Sequence, residues 1–141
     1  MKPLSRGVAG ETMSDRKRIL IVDDEKKVAF FLQEGLTGLG ERYEVITSDS
    51  AENALQQLDA YSFDLVVTDF RLPGLNGLQL MEYLQKRSPG TRTILITAYG
   101  SDEVEAAAYK LHARRYLPKP FRIEDFVRTV RETLAEEPVS G

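Results

Sequence analysis

A chain of 141 residues is long enough for one domain with a sizeable core, and its lack of cysteine excludes disulfides, thiolate metal sites and thiol chemistry. A formal net charge of −3 and a pI near 5.3 argue against general affinity for nucleic acid or an anionic membrane. No apolar run approaches the ~20 residues that span a bilayer, and the N-terminus lacks the apolar core of a secretory signal, so a cytoplasmic protein is expected.

Residues 1 to 17 carry Gly, Ser and charge without a hydrophobic period and read as a tail. RILIV, 18 to 22, is a short apolar run of the kind a strand buried on both faces requires. Val28, Phe31, Leu32, Gly35, Leu36 and Leu39 then recur at helical spacing, with Gly38 and Gly40 ending the helix. Phe30 falls off that stripe and is expected to be partly buried, with contact to a partner as the second reading. YEVIT (43 to 47) reads as the second strand, Ser50 as the N-cap of the second helix, and DLVVT (64 to 68) as the third strand. A helix from about Leu75 to Lys86 follows, then the strand TILIT (93 to 97), an Ala-rich helix from about Asp102, and the strand RRYL (114 to 117). The last helix carries Ile123, Phe126, Val127, Val130 and Leu134 on one stripe, and residues 136 to 141 read as a frayed end or the start of a linker. Five β-then-α units over residues 18 to 135 predict one α/β domain, a parallel sheet covered by helices on both faces.

In an open parallel sheet, ligands bind beyond the carboxyl ends of the strands. Here RILIV runs into Asp23 and Asp24, DLVVT into Asp69, TILIT ends on Thr97, and RRYLP delivers Lys119. Two like charges ~5 Å apart repel by roughly 3 kcal/mol at an effective dielectric of 20, so three clustered carboxylates call for a cation. A hard divalent ion with oxygen ligands and spare water positions, Mg²⁺, suits them. The alternative is that Asp23 and Asp24 cap the first helix and Asp69 opens a turn. A carboxylate beside Mg²⁺ can attack phosphorus, which would make Asp69 a phosphoacceptor, with Lys119 neutralising charge and Thr97 hydrogen-bonding a phosphoryl oxygen.

ILIVDDE (19 to 25), VVTDFRLPGLNG (66 to 77), ITAYGS (96 to 101) and YLPKPF (116 to 121), in this order, resemble the receiver domain of two-component response regulators. The resemblance implies a flavodoxin-like (βα)₅ doubly wound fold with strand order 2-1-3-4-5, an order that also serves as the general example for such sheets. It implies a phosphorelay switch, not a turnover enzyme, that accepts a phosphoryl group on Asp69 from a sensor histidine kinase or histidine phosphotransfer protein. Asp23, Asp24, Asp69 and the backbone carbonyl of Arg71 match the magnesium ligands. Thr97 and Tyr116 match the switch pair, Lys119 the lysine at the phosphoryl group, and Lys119–Pro120 a cis peptide bond. Phosphorylation would change the face made by the fourth helix, fifth strand and fifth helix, a face that also serves for homodimers. TDFRLPGLNG with ITAYGS looks most like receivers of ATP-driven, NtrC-like transcription activators; the output domain itself would lie outside these 141 residues.

Arg71 and Tyr99 occupy positions that vary in the family and tune phosphate lifetime; as bulky side chains they are expected to hinder an attacking water. His112 stands where the family has glycine and is expected to cap a helix in a left-handed conformation rather than bind metal. Arg114 and Arg115 read as solvated charges, with contact to an acidic partner as the second reading. Two rival functions remain: a phosphatase of the haloacid-dehalogenase class, disfavoured because Arg71 stands where its second Asp would be, and a receiver-like scaffold that signals without phosphate. No helix-turn-helix or basic stripe follows residue 121, so direct DNA binding is not expected.

Overall fold

The computed structural model describes residues 16–38 and 43–137, so Leu39 and Gly40 and most of both expected tails lie outside the described residues. The elements alternate strictly: β1 (Lys17–Val22), α1 (Lys26–Thr37), β2 (Tyr43–Ser48), α2 (Ala51–Ala60), β3 (Leu65–Asp69), α3 (Gly77–Arg87), β4 (Arg92–Thr97), α4 (Asp102–Lys110), β5 (Arg115–Pro118) and α5 (Ile123–Ala135). All five strands are parallel, in the order β2-β1-β3-β4-β5. The chain therefore starts near the middle of the sheet, winds to one edge, crosses back and winds to the other. Its reversal point lies between β1 and β3.

Alternation along the strands feeds two cores. Ile19, Ile21, Leu65, Val67, Ile94 and Ile96 meet α1 and α5 through Leu32, Leu36, Phe126 and Val130. Leu20, Val22 and Val66 face Ala51, Ala54, Leu80 and Leu84 of α2 and α3. Leu95 packs with Met81 and Ala108, so α4 shares that second face. Being covered on both sides, β3 and β4 are buried at every position, which is why their sequences read as unbroken runs. Gly35 lets α1 and α5 close up, since a β-carbon there would press into the Ile123 side chain.

Local chemistry sets the boundaries. Ser50 caps α2 by accepting a hydrogen bond from the Asn53 amide at 3.0 Å, as expected. At α3 the expected start, Leu75, gives way to Gly77: Asn76 accepts from the Gln79 amide (2.9 Å) and donates its own N–H to the Gln79 side chain (2.8 Å). That capping box fixes the first turn, and Leu75 packs on the second core from the preceding loop. β1 begins at Lys17, one residue inside the expected tail, and β5 is shifted by one to Arg115–Pro118. His112 closes α4 with φ 67°, while the Ala113 amide donates to the Ala108 carbonyl at 3.0 Å. This is the left-handed cap expected of it.

Two expectations on α1 fail. Phe30 is 62% exposed rather than partly buried, and Phe31, placed on the apolar stripe, is 52% exposed. The buried arc is Ala29, Leu32 and Leu36, and at ~100° per residue position 31 is turned well away from it.

Arg114 and Arg115 also differ from expectation, because the chain supplies their acid. Glu136 pairs with Arg114 Nη1 at 2.8 Å and Arg115 Nη2 at 2.5 Å; its carbonyl accepts from Arg92 Nη2 at 2.7 Å, and the Glu137 carbonyl from Arg114 Nη2 at 2.5 Å. Residues 136 and 137, expected to fray, are held against the sheet. Hydrogen bonds from Arg115 and then Arg114 hold the Glu136 carboxyl below its ordinary range. A lowered folded value means stability present above the unfolded pKa and lost as pH falls through the folded one. With the Glu136 side chain 36% exposed, screening keeps the effect small. Glu136→Gln is expected to cost less than about 1 kcal/mol in urea melts at neutral pH, the difference vanishing in acid.

Candidate functional site

Strand register brings the polar residues together. Val22 pairs with Thr68, so Asp23 and Asp69 stand side by side in the next row; Asp69 pairs with Ile96, placing Thr97 one step beyond. Thr97 pairs in turn with Pro118, immediately before Lys119. Asp23, Asp69 and Thr97 are each at most 5% exposed, whereas Asp24 faces solvent.

Lys119 Nζ donates to Asp23 Oδ2 and Asp69 Oδ2, each at 3.0 Å, with Glu25 Oε1 at 3.9 Å. Asp23 Oδ1 accepts from the Glu25 amide at 2.9 Å. This is a turn within the loop and not a helix cap, because Glu25 is the α1 N-cap residue and makes no side-chain capping bond. Burial alone would lower the Lys119 pKa, but its hydrogen bonds to Asp23 and Asp69 outweigh burial and raise it. Asp69 moves up as well: burial dominates, the neighbouring Asp23 charge adds to it, and Lys119 only partly pulls it back.

One ammonium therefore serves two buried carboxylates. The oxygens of Asp23, Asp24 and Asp69 lie within 4.8 Å of one another, and Asp69 Oδ1 is buried without a hydrogen-bond partner. An all-oxygen donor set with a surplus of negative charge and an orphaned carboxylate oxygen fits a hard divalent cation such as Mg²⁺.

Thr97 Oγ1 accepts from the Tyr99 amide at 2.9 Å, which leaves its own O–H free to donate. The Arg71 guanidinium lies over the Tyr99 ring, 4.3 Å from its centroid. The two residues given one shared role from the sequence thus form one stacked pair joining the loops after β3 and β4. Tyr116 is half-buried and packs on the Leu95, Met81 and Ala108 cluster, and the Lys119–Pro120 peptide is cis.

Two glycines of the rim carry constraints that the sequence reading missed. Gly77 donates its N–H to the Phe70 carbonyl at 2.8 Å, and a β-carbon there would collide with the Asp69 carbonyl. Gly100 underlies the Tyr116 hydroxyl. A glycine beside a turn looks the same in sequence whether the turn or a neighbour demands it.

The model of the response regulator receiver domain matches residues 19–131. This chain belongs to the response regulator receiver family. The receiver is 33% identical over 115 residues to the DNA-binding transcriptional regulator NtrC of Klebsiella pneumoniae, covering 82% of this chain and 24% of that protein. It spans about a quarter of the length of that relative. Among solved structures, a CheY-like response regulator receiver domain protein from Methanospirillum hungatei is 32% identical with a TM-score of 0.80, covering 84% of this chain and 94% of that one. The response regulator TrrA of Thermotoga maritima, in complex with Mg²⁺-BeF, is 32% identical with a TM-score of 0.74, covering 83% and 98%. The flavodoxin-like fold and its strand order agree with the resemblance in the sequence. Receivers are regulatory phosphoacceptor domains, so the phosphatase reading falls. Among the described residues, no helix is long and apolar enough to cross a membrane.

Proposed function

We propose that this receiver is a cytoplasmic phosphorylation switch whose acceptor is Asp69. The observation that carries the reading is the set of three carboxylates within 4.8 Å, with Lys119 bonded to two of them and Asp69 Oδ1 unpartnered. An Asp69 oxygen forms a bond to phosphorus while the P–N bond of a phosphohistidine on a sensor kinase or phosphotransfer protein breaks, the electron pair leaving with the imidazole. Asp23, Asp24, Asp69 and the Arg71 carbonyl would hold Mg²⁺, which would supply charge neutralisation at the phosphoryl group. Lys119 gives up part of its bond to Asp69 to meet the phosphoryl oxygens, and the free Thr97 O–H donates to another. That the related TrrA was solved with Mg²⁺-BeF supports this assignment of metal and ligand class.

In this reading, Thr97 and Tyr116 pass the change to the surface of α4, β5 and α5, shifting a two-state equilibrium toward a form that pairs with a second copy or an output module. The likeness to NtrC favours control of transcription as the output. The test is incubation with a small acyl phosphate and Mg²⁺. One acid-stabilised, base-labile label per chain, mapped to Asp69, supports the switch. Release of phosphate without a label on Asp69 overturns the switch, and no reaction points to a scaffold that works without phosphate.

The Arg71–Tyr99 stack gives the lifetime expectation a geometry. Arg71→Asn removes the stacked cation, opens a route for water, and is expected to speed loss of phosphate by up to about tenfold, a barrier change of ~1.4 kcal/mol. An unchanged decay rate of the labelled protein rejects the stack as a barrier.

A further inference from the structure

We infer that Gly100 is a positioning residue for Tyr116: it leaves open the seat that the ring occupies, and any residue with a β-carbon would close it. This inference rests on the reading of Tyr116 as the switch aromatic. A β-carbon at Gly100 would overlap the Tyr116 hydroxyl outright, sit 3.0 Å from its Cζ, and lie 3.3 Å from Thr97 Cγ2. The hydroxyl, the loop backbone and the Thr97 methyl therefore share one small space at the end of β4.

The backbone of Gly100 needs no glycine. Its φ is not positive, unlike those of Gly74 and His112, and it precedes the Ser101 cap of α4 in an exposed loop where alanine is conformationally ordinary. The demand for glycine comes from neighbouring side chains, above all the Tyr116 hydroxyl and to a lesser degree the Thr97 methyl. The overlapping atom is the far end of a side chain with two rotatable bonds, so an added methyl is relieved by turning Tyr116 and not by moving the sheet. Meanwhile the loop is pinned from both sides, by the Tyr99 amide on Thr97 Oγ1 (2.9 Å) and by the Val104 amide on Ser101 Oγ (3.1 Å). With the loop held and the ring mobile, the ring yields. Gly100 thus helps set the balance between two settings of Tyr116, as a residue that touches neither metal nor phosphoryl group.

The experiment is NMR of the full chain, following cross-peaks from the Tyr116 ring to the Gly100 α-protons and the Thr97 γ-methyl. Gly100→Ala is expected to lose the Tyr116–Thr97 methyl cross-peaks and shift the ring resonances, while Asp69 is still labelled by acyl phosphate. Adding Tyr116→Phe to Gly100→Ala removes the overlapping oxygen and is expected to restore the ring-to-methyl cross-peaks. If the cross-peaks survive Gly100→Ala, or stay lost in the double variant, the seat is overturned. Failure of labelling in the wild-type chain, with the cross-peaks behaving as expected, sinks the phosphoacceptor reading instead.

Discussion

Asp69→Asn is expected to abolish phosphoryl uptake from a small acyl phosphate while the variant melts, in magnesium-free buffer, no lower than the wild-type chain. The loss is total because an amide oxygen is too weak a nucleophile to attack phosphorus and no other carboxylate occupies its place at the end of β3. The stability follows from crowding. Asp69 is 5% exposed, lies close to Asp23, and has one oxygen without a partner. Its carboxyl pKa is raised, first by burial. For a raised folded value, the stabilising contribution is complete below the unfolded pKa, about 3.9, and is lost as pH rises through the folded one. At neutral pH the ionised form is therefore a cost, and asparagine removes it while Lys119 keeps its bond to Asp23. Saturating Mg²⁺ reverses the comparison: at 100 times its Kd an ion adds ~2.7 kcal/mol to a chain that binds it, and the variant gains less. Thermal melts with and without Mg²⁺, alongside labelling, read both effects. Normal uptake by the Asn variant would remove Asp69 from the mechanism.

Gly77→Ala is expected to destabilise the chain by about 2 kcal/mol and to weaken magnesium binding. Two effects oppose each other. Alanine in a helix gains ~1 kcal/mol over glycine, which favours the substitution at the start of α3. Against this, the new methyl meets the Asp69 carbonyl oxygen outright and crowds the Asp69 carbonyl carbon and Leu95 Cδ1, each at 3.1 Å. Backbone atoms of a buried strand cannot rotate aside, so the overlap wins and displaces Asp69 itself. Gly90→Ala is the control, because a β-carbon there meets nothing within 4 Å. Urea denaturation at neutral pH compares them; a Gly77→Ala change within ~0.5 kcal/mol of the Gly90→Ala change would show that the rim can give way.

The strands were legible because burial on both faces leaves their middle positions almost entirely to apolar and β-branched residues. Past Arg18 and Asp64 at their starts, RILIV, DLVVT and TILIT stay apolar or β-branched and bring Asp23, Asp69 and Thr97 to the end of the sheet. The same economy made the candidate site legible, since strand ends in one sheet share an edge whatever loops connect them. Partnerships across long separations were not legible. Nothing near Arg114 and Arg115 announces Glu136, more than twenty residues on, and Arg71 and Tyr99 meet only because β3 and β4 are neighbours. Phe31 satisfied the helical period yet points to water, because α1 rests on the sheet through Ala29, Leu32 and Leu36, and a period leaves the direction of contact undetermined. Leu75 misled for a related reason: its apolar side chain is used by the core before the helix has begun.

The guanidinium groups of Arg92, the first residue of β4, and Arg114, just before β5, grip the backbone as it leaves α5, and Thr97 is the other end of β4. Five residue steps, roughly 17 Å, therefore separate that grip from the edge that carries Asp69 and Thr97. A reporter protein joined directly to Glu137 is therefore anchored at the remote end of the sheet. Mechanical load applied there enters two strands directly instead of peeling away the last helix.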